Sequence, residues 1–236
     1  MAYLDVMAGS GLNQIRESGD LIAGSSVLAA SVPTKPFDFI VSIEKDRRRA
    51  AALNLRLAAL RAPETFRVVA DEADAVISGV IQDLDARGAH FLAFVDYEGI
   101  KGFSWQSMDL LLRSPCDLWF TFFPGTKRAW EQNRETCREL FGALVDTADD
   151  YDDLLNRWVS HLRTLRDIMY VYTIDGGEGY HYYLIFLTRR TRTGSRYTKA
   201  ADDLTRRLSQ VDATFAQTIL DVMRHGQQTF DRGWPI

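Results

Sequence analysis

The sequence of 236 residues has little that binds metal or crosses a membrane. Its two cysteines, Cys116 and Cys137, match no metal-ligand spacing, and we interpret them as reduced structural thiols. The four histidines are scattered and form no cluster with cysteines or carboxylates. No apolar run approaches the roughly 18 residues of a membrane span, and no charged-then-apolar export signal is present. The sequence therefore predicts no metal site, no membrane contact and a cytoplasmic location.

The chain also has little excess of either charge, with a formal net charge of −4. This value argues against a wholly basic nucleic-acid binder but is compatible with a local basic patch. A hydrophobic content of 46% supplies a substantial core. A chain of this length fits one large α/β domain with a modest insertion.

The most informative segment lies near the start of the chain. Residues 3–7 form an apolar run typical of a buried strand, and Gly9 and Gly11 follow in a Gly-x-Gly turn. Such a turn at the carboxyl end of a strand lets a nucleotide-like ligand approach the backbone, because no Cβ is in the way. Asp5 lies inside the apolar run, where a buried carboxylate requires hydrogen-bond donors. Turn amides or a ligand amine are the donors that we expect.

Strand-like and helix-like segments alternate along the chain, which is typical of a doubly wound parallel sheet. A short helix is predicted to begin with Ser25 or Ser26 as its N-cap, and a long polar loop, which could act as a lid, precedes it at 12–23. The predicted strands are 3–7, 37–43, 66–70, 90–95, 116–123, 168–174 and 180–188. Further helices are predicted at 47–60, through 77–81, and at 105–112, 126–144, 151–165 and 200–230.

The last two strands are joined by only five residues, so they must be antiparallel neighbours. Five parallel strands and this hairpin make a seven-stranded α/β sheet, which differs from the six parallel strands of a plain dinucleotide-binding domain. We expect a single domain over residues 1–236, with a helical insertion at about 126–166 and C-terminal helices at about 200–230.

Polar residues end several of the predicted parallel strands, where ligands bind in open α/β sheets. Gly9 and Gly11 follow the first strand, and Glu44 ends the second, where it is placed to accept both hydroxyls of a ribose. Asp74 follows the third and is a candidate acceptor for an adenine amine, while Asp96 ends the fourth and faces the reacting group. Helix capping by Glu44 and Asp74, and a plain turn at Asp96, remain the alternatives.

Nearly the whole chain resembles the three-Cys-motif partner family, whose members are similar to class I S-adenosylmethionine-dependent methyltransferases. The resemblance implies a Rossmann-like methyltransferase fold, S-adenosylmethionine as the cofactor, and cofactor-binding roles for Asp5, Gly9, Gly11, Glu44 and Asp74. The matching blocks are Tyr3-Leu4-Asp5-Val6-Met7-Ala8-Gly9-Ser10-Gly11, Ile15-Arg16-Glu17, Gly24-Ser25, Ile43-Glu44-Lys45-Asp46, Ala73-Asp74-Ala75, Phe94-Val95-Asp96 with Gly99 and Trp105, and Tyr182-Tyr183-Leu184-Ile185-Phe186-Leu187-Thr188.

One departure from the family concerns the predicted catalytic residue, Asp96. The family commonly carries Asp-Pro-Tyr-Gly after the fourth strand, whereas this chain has Asp96-Tyr97-Glu98-Gly99. A rigid proline turn in enzymes that methylate base amines aims acceptors at the amine. The altered turn favours a second hypothesis, in which the chain is a non-catalytic partner that binds another protein, in a defence or mobile-element system.

A basic segment after the last strand is the predicted substrate-binding region, and it favours nucleic acid as the acceptor. A solvated loop is the alternative interpretation of the same residues. A third hypothesis, a nicotinamide-dependent oxidoreductase, fits poorly because Gln14 replaces the third glycine of the usual fingerprint. The basic segment consists of Arg189, Arg190, Arg192 and Arg196, with Tyr197 and Lys199.

Overall fold

The computed structural model describes residues 1–15, 18–32, 35–96, 102–122, 125–175 and 181–190. The strands are β1 (Ala2–Val6), β2 (Leu12–Gln14), β3 (Leu21–Ala23), β4 (Phe39–Ile43), β5 (Phe66–Val69), β6 (Phe91–Val95), β7 (Cys116–Phe122), β8 (Ile168–Asp175) and β9 (His181–Thr188). The α-helices are α1 (Ser25–Ala30), α2 (Arg47–Ala58), α3 (Ala73–Ala86), α4 (Trp105–Arg113), α5 (Gly125–Gln132), α6 (Arg138–Phe141), α7 (Leu144–Thr147) and α8 (Tyr151–Leu165). Short 3-10 helices lie at Pro63–Thr65 and Arg134–Cys137.

Seven strands form one sheet in the order β5-β4-β1-β6-β7-β9-β8. The first five of these are parallel, and β9 runs antiparallel to both β7 and β8. The predicted doubly wound sheet with a C-terminal antiparallel hairpin is therefore confirmed. The polar segment predicted as a loop at 12–23 instead contains an antiparallel ribbon of β2 and β3, in which Leu12 pairs with Ala23.

Helices cover both faces of the sheet because successive strand residues point to opposite sides. One face packs against α1 and α2 through a cluster that contains Tyr3, Ile40 and Leu53. The larger cluster on the other face contains Leu4 and residues of α3, α4 and α8. Leu60, expected on the buried face of the second helix, lies beyond the end of α2 and is half exposed.

The helix predicted at 126–144 is interrupted in the structure. After α5, Asn133 adopts an extended backbone, and its side chain accepts a hydrogen bond from the Glu135 amide to begin a 3-10 turn. Gly142, with φ of 60°, then ends α6. Local capping therefore breaks a segment whose apolar periodicity alone predicts one continuous helix.

Strand direction sets which residues share an edge of the sheet. The carboxyl ends of β1, β4, β5, β6 and β7 meet at one edge, which we call the carboxyl edge, and their amino ends form the amino edge. Because β9 is antiparallel, Leu187 lies opposite Leu118, and β9 ends at the amino edge. Within the described residues, every helix is too short or too polar to cross a membrane.

Candidate functional site

A cavity of about 270 Å³ opens at the carboxyl edge, next to the ends of β1, β4 and β5. Of the predicted cofactor-binding residues Asp5, Gly9, Gly11, Glu44 and Asp74, only Glu44 lines this cavity. Lys45, Arg49 and Gly102 also line this cavity, and no pattern in the sequence predicts a role for them there. The lining residues are Met7, Ile43, Glu44, Lys45, Arg49, Asp71, Glu72, Ala73 and Gly102.

The two glycines of the turn after β1 have different surroundings. Gly9 has φ of +64°, and a Cβ placed on it would meet no atom within 4 Å. Gly11 has φ of +80°, but a Cβ there would lie 2.7 Å from Leu53 and 2.8 Å from Val27. Close packing on α1 and α2 explains Gly11, whereas only Gly9 leaves open space above the backbone. Met7 shares the positive φ, at 68°, although it carries a side chain.

Glu44 connects the glycine turn to the end of β4. Its Oε2 accepts a hydrogen bond from the Gly9 amide at 2.8 Å, and its Oε1 accepts one from the Asp46 amide at 2.8 Å. The residue is 6% exposed and lines the cavity. An ionised carboxylate has about four acceptor positions, so about two remain for a ligand. The capping role that the sequence left open belongs to Asp46, which accepts from the amides of Arg48 and Arg49.

Asp5 is fully buried in β1 and holds α1 against the sheet. Its Oδ2 accepts hydrogen bonds from the hydroxyls of Ser25 at 2.6 Å and Ser26 at 2.5 Å. The prediction that Ser25 or Ser26 is the N-cap of α1 is therefore wrong. Gly24 occupies the N-cap position, and no side chain caps the helix there. The second oxygen, Oδ1, is buried without a hydrogen-bond partner.

Burial raises the pKa of Asp5 to about 6, against the lowering effect of the bonds from Ser25 and Ser26. The folded protein thus binds a proton at pH values where the unfolded chain has released it. Stability from this group is complete below about pH 4 and falls as the pH rises toward 6. We expect the wild type to lose up to about 3 kcal/mol over this range.

Asp5→Asn should lack this loss, because the amide does not titrate. Urea unfolding of both proteins from pH 4 to 7.5 measures the difference, and taking the difference removes the contribution of other carboxylates. Parallel pH profiles for the two proteins would contradict the assignment.

The acids that follow β5 are divided between two environments. Asp71 and Glu72 line the cavity, whereas Asp74 accepts hydrogen bonds from the Ser104 amide and hydroxyl, each at 3.0 Å. The structure thus places the predicted adenine acceptor, Asp74, on the N-cap residue of α4. Asp71 and Glu72 lie two and three residues after the end of β5, which is the sequence signal that could have placed them at the carboxyl edge.

Asp96 directly follows β6 at the carboxyl edge, where the Thr121 hydroxyl of β7 donates a hydrogen bond to its Oδ1 at 2.9 Å. The residue is exposed, and its charge contributes to raising the pKa of buried Asp5. Asp96 therefore lies near the glycine turn. The turn residues 97–101 that follow it are outside the described residues.

The predicted substrate-binding arginines do not join this site. Thr188 hydrogen-bonds to Asp117 at the amino edge, and the next residue, Arg189, donates to the Leu112 carbonyl at 2.8 Å. The Arg190 amide donates to Asp167 at 3.2 Å. Arg192 and Arg196 lie outside the described residues, as does the helix predicted at 200–230. Arg189 and Arg190 are therefore separated from the cavity by the length of the sheet.

Both cysteines are free thiols, but both are buried, so neither offers a reactive thiol. Burial raises the pKa of Cys116 to about 11 and also raises that of Cys137. In the part of the chain that the structure describes, no group of three or more histidine, cysteine or acidic side chains is arranged to hold a metal ion.

The chain has structural similarity to methyltransferases. No protein-family model matches it, and a search of curated protein sequences finds no significant relative. The O-methyltransferase TomG from Streptomyces achromogenes, solved with SAM, aligns at 15% identity and a TM-score of 0.44, over 80% of this chain and 73% of that one. Cofactor-bound Rv0187 from MTB aligns at 13% identity and a TM-score of 0.45, over 80% and 73%.

The methyltransferase domain of bacterial-CtHen1-C aligns at 11% identity and a TM-score of 0.42, over 80% of this chain and 89% of that one. Identities of this size and TM-scores below 0.5 support no argument about function, so the function must be argued from the geometry of the site. Without a matching family model, membership of the three-Cys-motif partner family stays a prediction.

Proposed function

We propose that this chain is an S-adenosylmethionine-dependent methyltransferase that binds its cofactor at the carboxyl edge of the sheet. The observation that carries the proposal is the arrangement of Glu44 and Gly9. The carboxylate lines the cavity with acceptor positions to spare, and it holds the amide of a glycine above which the space is open. A nucleoside with two vicinal hydroxyls is complementary to this arrangement.

We assign the remaining parts of the cofactor to residues that line the cavity and to the buried Asp5. Glu44 would accept the two ribose hydroxyls, and Asp71 or Glu72 at the start of α3 would accept the adenine amine. The orphaned Oδ1 of buried Asp5 would accept the ammonium group of the methionine part. A cation there would also satisfy a carboxylate oxygen that is buried without a hydrogen-bond partner among the described residues.

When bound, the cofactor would supply a methyl group bonded to a positively charged sulfur. A nucleophile of the acceptor would bond to the methyl carbon while the carbon–sulfur bond breaks and the sulfur leaves as a neutral thioether. The protein's part in such a displacement is alignment, and it requires no covalent intermediate. Asp96, next to the glycine turn, would accept a hydrogen bond from the acceptor and take its proton. The hydrogen bond from Thr121 orients the Asp96 carboxylate for this role.

The finer identity of the protein is part of the same proposal. Membership of the three-Cys-motif partner family rests on the sequence blocks from Tyr3 to Thr188, and a nucleic acid is the acceptor that we favour. Two measurements test the function itself. Calorimetry with S-adenosylmethionine should show binding, and mass spectrometry of the denatured protein should detect any co-purified cofactor or its demethylated product. The absence of binding at millimolar cofactor would refute the proposal, and binding without turnover would support the non-catalytic partner.

Glu44→Gln is expected to weaken cofactor binding about 10- to 150-fold, which corresponds to about 1.5–3 kcal/mol for a hydrogen bond to a charged group. The amide keeps the shape of the side chain but replaces one acceptor with a donor. Calorimetry with a cofactor analogue lacking both ribose hydroxyls is the control, since the variant and the wild type should bind this analogue about equally. An equal penalty with both ligands would assign Glu44 to holding the glycine turn alone.

A further inference from the structure

Two clusters of basic side chains lie at the starts of helices that follow strands of the carboxyl edge, one after β4 and one after β7. The first, which we call the α2 cluster, consists of Lys45, Arg47, Arg48 and Arg49 at the start of α2. The second, the α5 cluster, consists of Lys127 and Arg128 in the first turn of α5. All six side chains are exposed, and none forms an ion pair with another described residue.

The α2 cluster stands where helix electrostatics oppose it. Arg47, Arg48 and Arg49 occupy the first turn of α2, which contains no acidic residue. The N-terminal end of a helix carries partial positive charge, so cations there are unfavourable and anions are favoured. Only the capping carboxylate of Asp46 offsets this repulsion. Three consecutive arginines at the positive end of a helix are locally unfavourable, and binding of anions at this surface would explain why they are there.

The two clusters follow strands that lie on either side of Asp96 in the sheet order. In the sheet order, β4 carries the α2 cluster, β7 precedes the α5 cluster, and β1 and β6 lie between them. Three strand spacings separate β4 from β7, which is about 14 Å. Asp96 at the end of β6 lies in this interval. An extended anionic chain that touched both clusters would therefore pass over the predicted acceptor position.

The acidic side chains near the crevice are consistent with this path. Asp71 and Glu72 line the cavity from the β5 side, beyond the α2 cluster and away from the interval between β4 and β7. An anionic chain would be repelled there, whereas the adenine amine of the cofactor requires acceptors. The α5 cluster is held firmly, because the neighbouring Thr126 and Trp130 are buried in the core.

We propose that the methyl acceptor is a single-stranded nucleic acid whose phosphates bind the α2 and α5 clusters and whose base reaches Asp96. This inference rests on the proposed function for the identity of the crevice. Phosphates bind exposed arginine and lysine side chains regardless of sequence, and this binding weakens steeply with salt. A flexible single strand, whose unpaired bases can be turned toward Asp96, fits this arrangement better than a duplex, whose bases are stacked and paired.

The test measures binding of a fluorescent 20-nucleotide single strand by anisotropy between 50 and 200 mM salt. We expect Arg47→Glu with Arg48→Glu, and separately Lys127→Glu with Arg128→Glu, to lower the affinity at least about tenfold at 100 mM salt. The slope of log affinity against log salt should become shallower by about 1.4 for each pair, since about 0.7 ion is released per phosphate of a single strand. The matched control is Arg189→Glu with Arg190→Glu at the amino edge, which should leave the affinity unchanged.

Stability and cofactor affinity distinguish this loss from unfolding and from failure of the proposed function. The α2 double variant should melt at a higher temperature than the wild type, because it puts acids at the start of a helix. Its calorimetric affinity for S-adenosylmethionine should stay within about twofold, because neither side chain lines the cavity. Weaker binding of the single strand by the α2 double variant, together with a raised melting temperature, therefore supports the α2 cluster as part of the binding surface.

Three results would overturn the inference while leaving the cofactor site intact. The strand fails to bind although S-adenosylmethionine binds; the amino-edge variant loses as much affinity as the other two; or anionic lipid vesicles compete with the strand through the same residues. Conversely, if the strand binds through both clusters but the cofactor does not bind, the binding surface stands and both the proposed function and the acceptor role fall.

Discussion

Asp96→Asn is expected to lower the rate of methyl transfer by at least about 100-fold, which is the lower range for losing a positioned proton acceptor. The asparagine keeps the size of the side chain and can still accept the hydrogen bond from Thr121. It is uncharged and a much weaker base, so it neither takes a proton nor stabilises positive charge that develops on the acceptor. The affinity for S-adenosylmethionine should change by less than about threefold, because the proposed arrangement assigns the cofactor to Glu44, Gly9 and Asp5 and the methyl acceptor to Asp96.

Turnover is followed by the release of demethylated cofactor with a single-stranded oligonucleotide as the acceptor. Thr121→Val is the companion variant, since it leaves the carboxylate in place but removes the hydrogen bond that orients it. We expect an intermediate loss of rate, with a pH profile like that of the wild type. Full turnover by Asp96→Asn would assign the residue to a plain turn, which is the alternative that the sequence left open.

Gly9→Ala is expected to lower the affinity for S-adenosylmethionine by at least about 100-fold. The added methyl group would occupy the open space above the turn, where we propose that the cofactor approaches the backbone. Part of any effect will come from the backbone, because φ of +64° costs an alanine about 1–2 kcal/mol. A control with the same strain is therefore necessary.

Gly88→Ala provides this control. Gly88 has φ of +62°, and a Cβ on it would also meet no atom within 4 Å, but it lies after α3 near the amino edge. Both variants should lose similar stability in urea unfolding, and only Gly9→Ala should lose cofactor affinity. Equal cofactor affinity in the two variants would show that the turn after β1 does not contact the ligand.

Much of the fold was predictable because the relevant signals are local. Apolar runs bounded by turn residues predict β1 and β4 to within about two residues. The short connection before β9 requires an antiparallel hairpin, and the sheet contains it. The interruption after Gln132 was not predicted, because a side-chain cap at Asn133 competes with helix periodicity that continues through it.

The candidate site was predictable in part for the same reason. A residue that ends a parallel strand must lie at the carboxyl edge, which places Gly9, Glu44 and Asp96 there whatever the rest of the chain does. Their individual contacts depend on residues far along the chain. Glu44 bonds to Gly9 across 35 positions, and Asp74 bonds to Ser104 across 30, so neither partner was visible in a local pattern.

The sequence by itself determined the order of strands and helices and the acids that follow the strands, since these depend on the periodicity of neighbouring side chains. Only the tertiary structure decided which of those acids line the cavity, and that Arg189 and Arg190 lie at the opposite edge from it. The reason is physical. The direction of β9 is set by its pairing with β7, about 70 residues earlier in the chain, and that direction places Arg189 and Arg190 at the amino edge, away from the cavity.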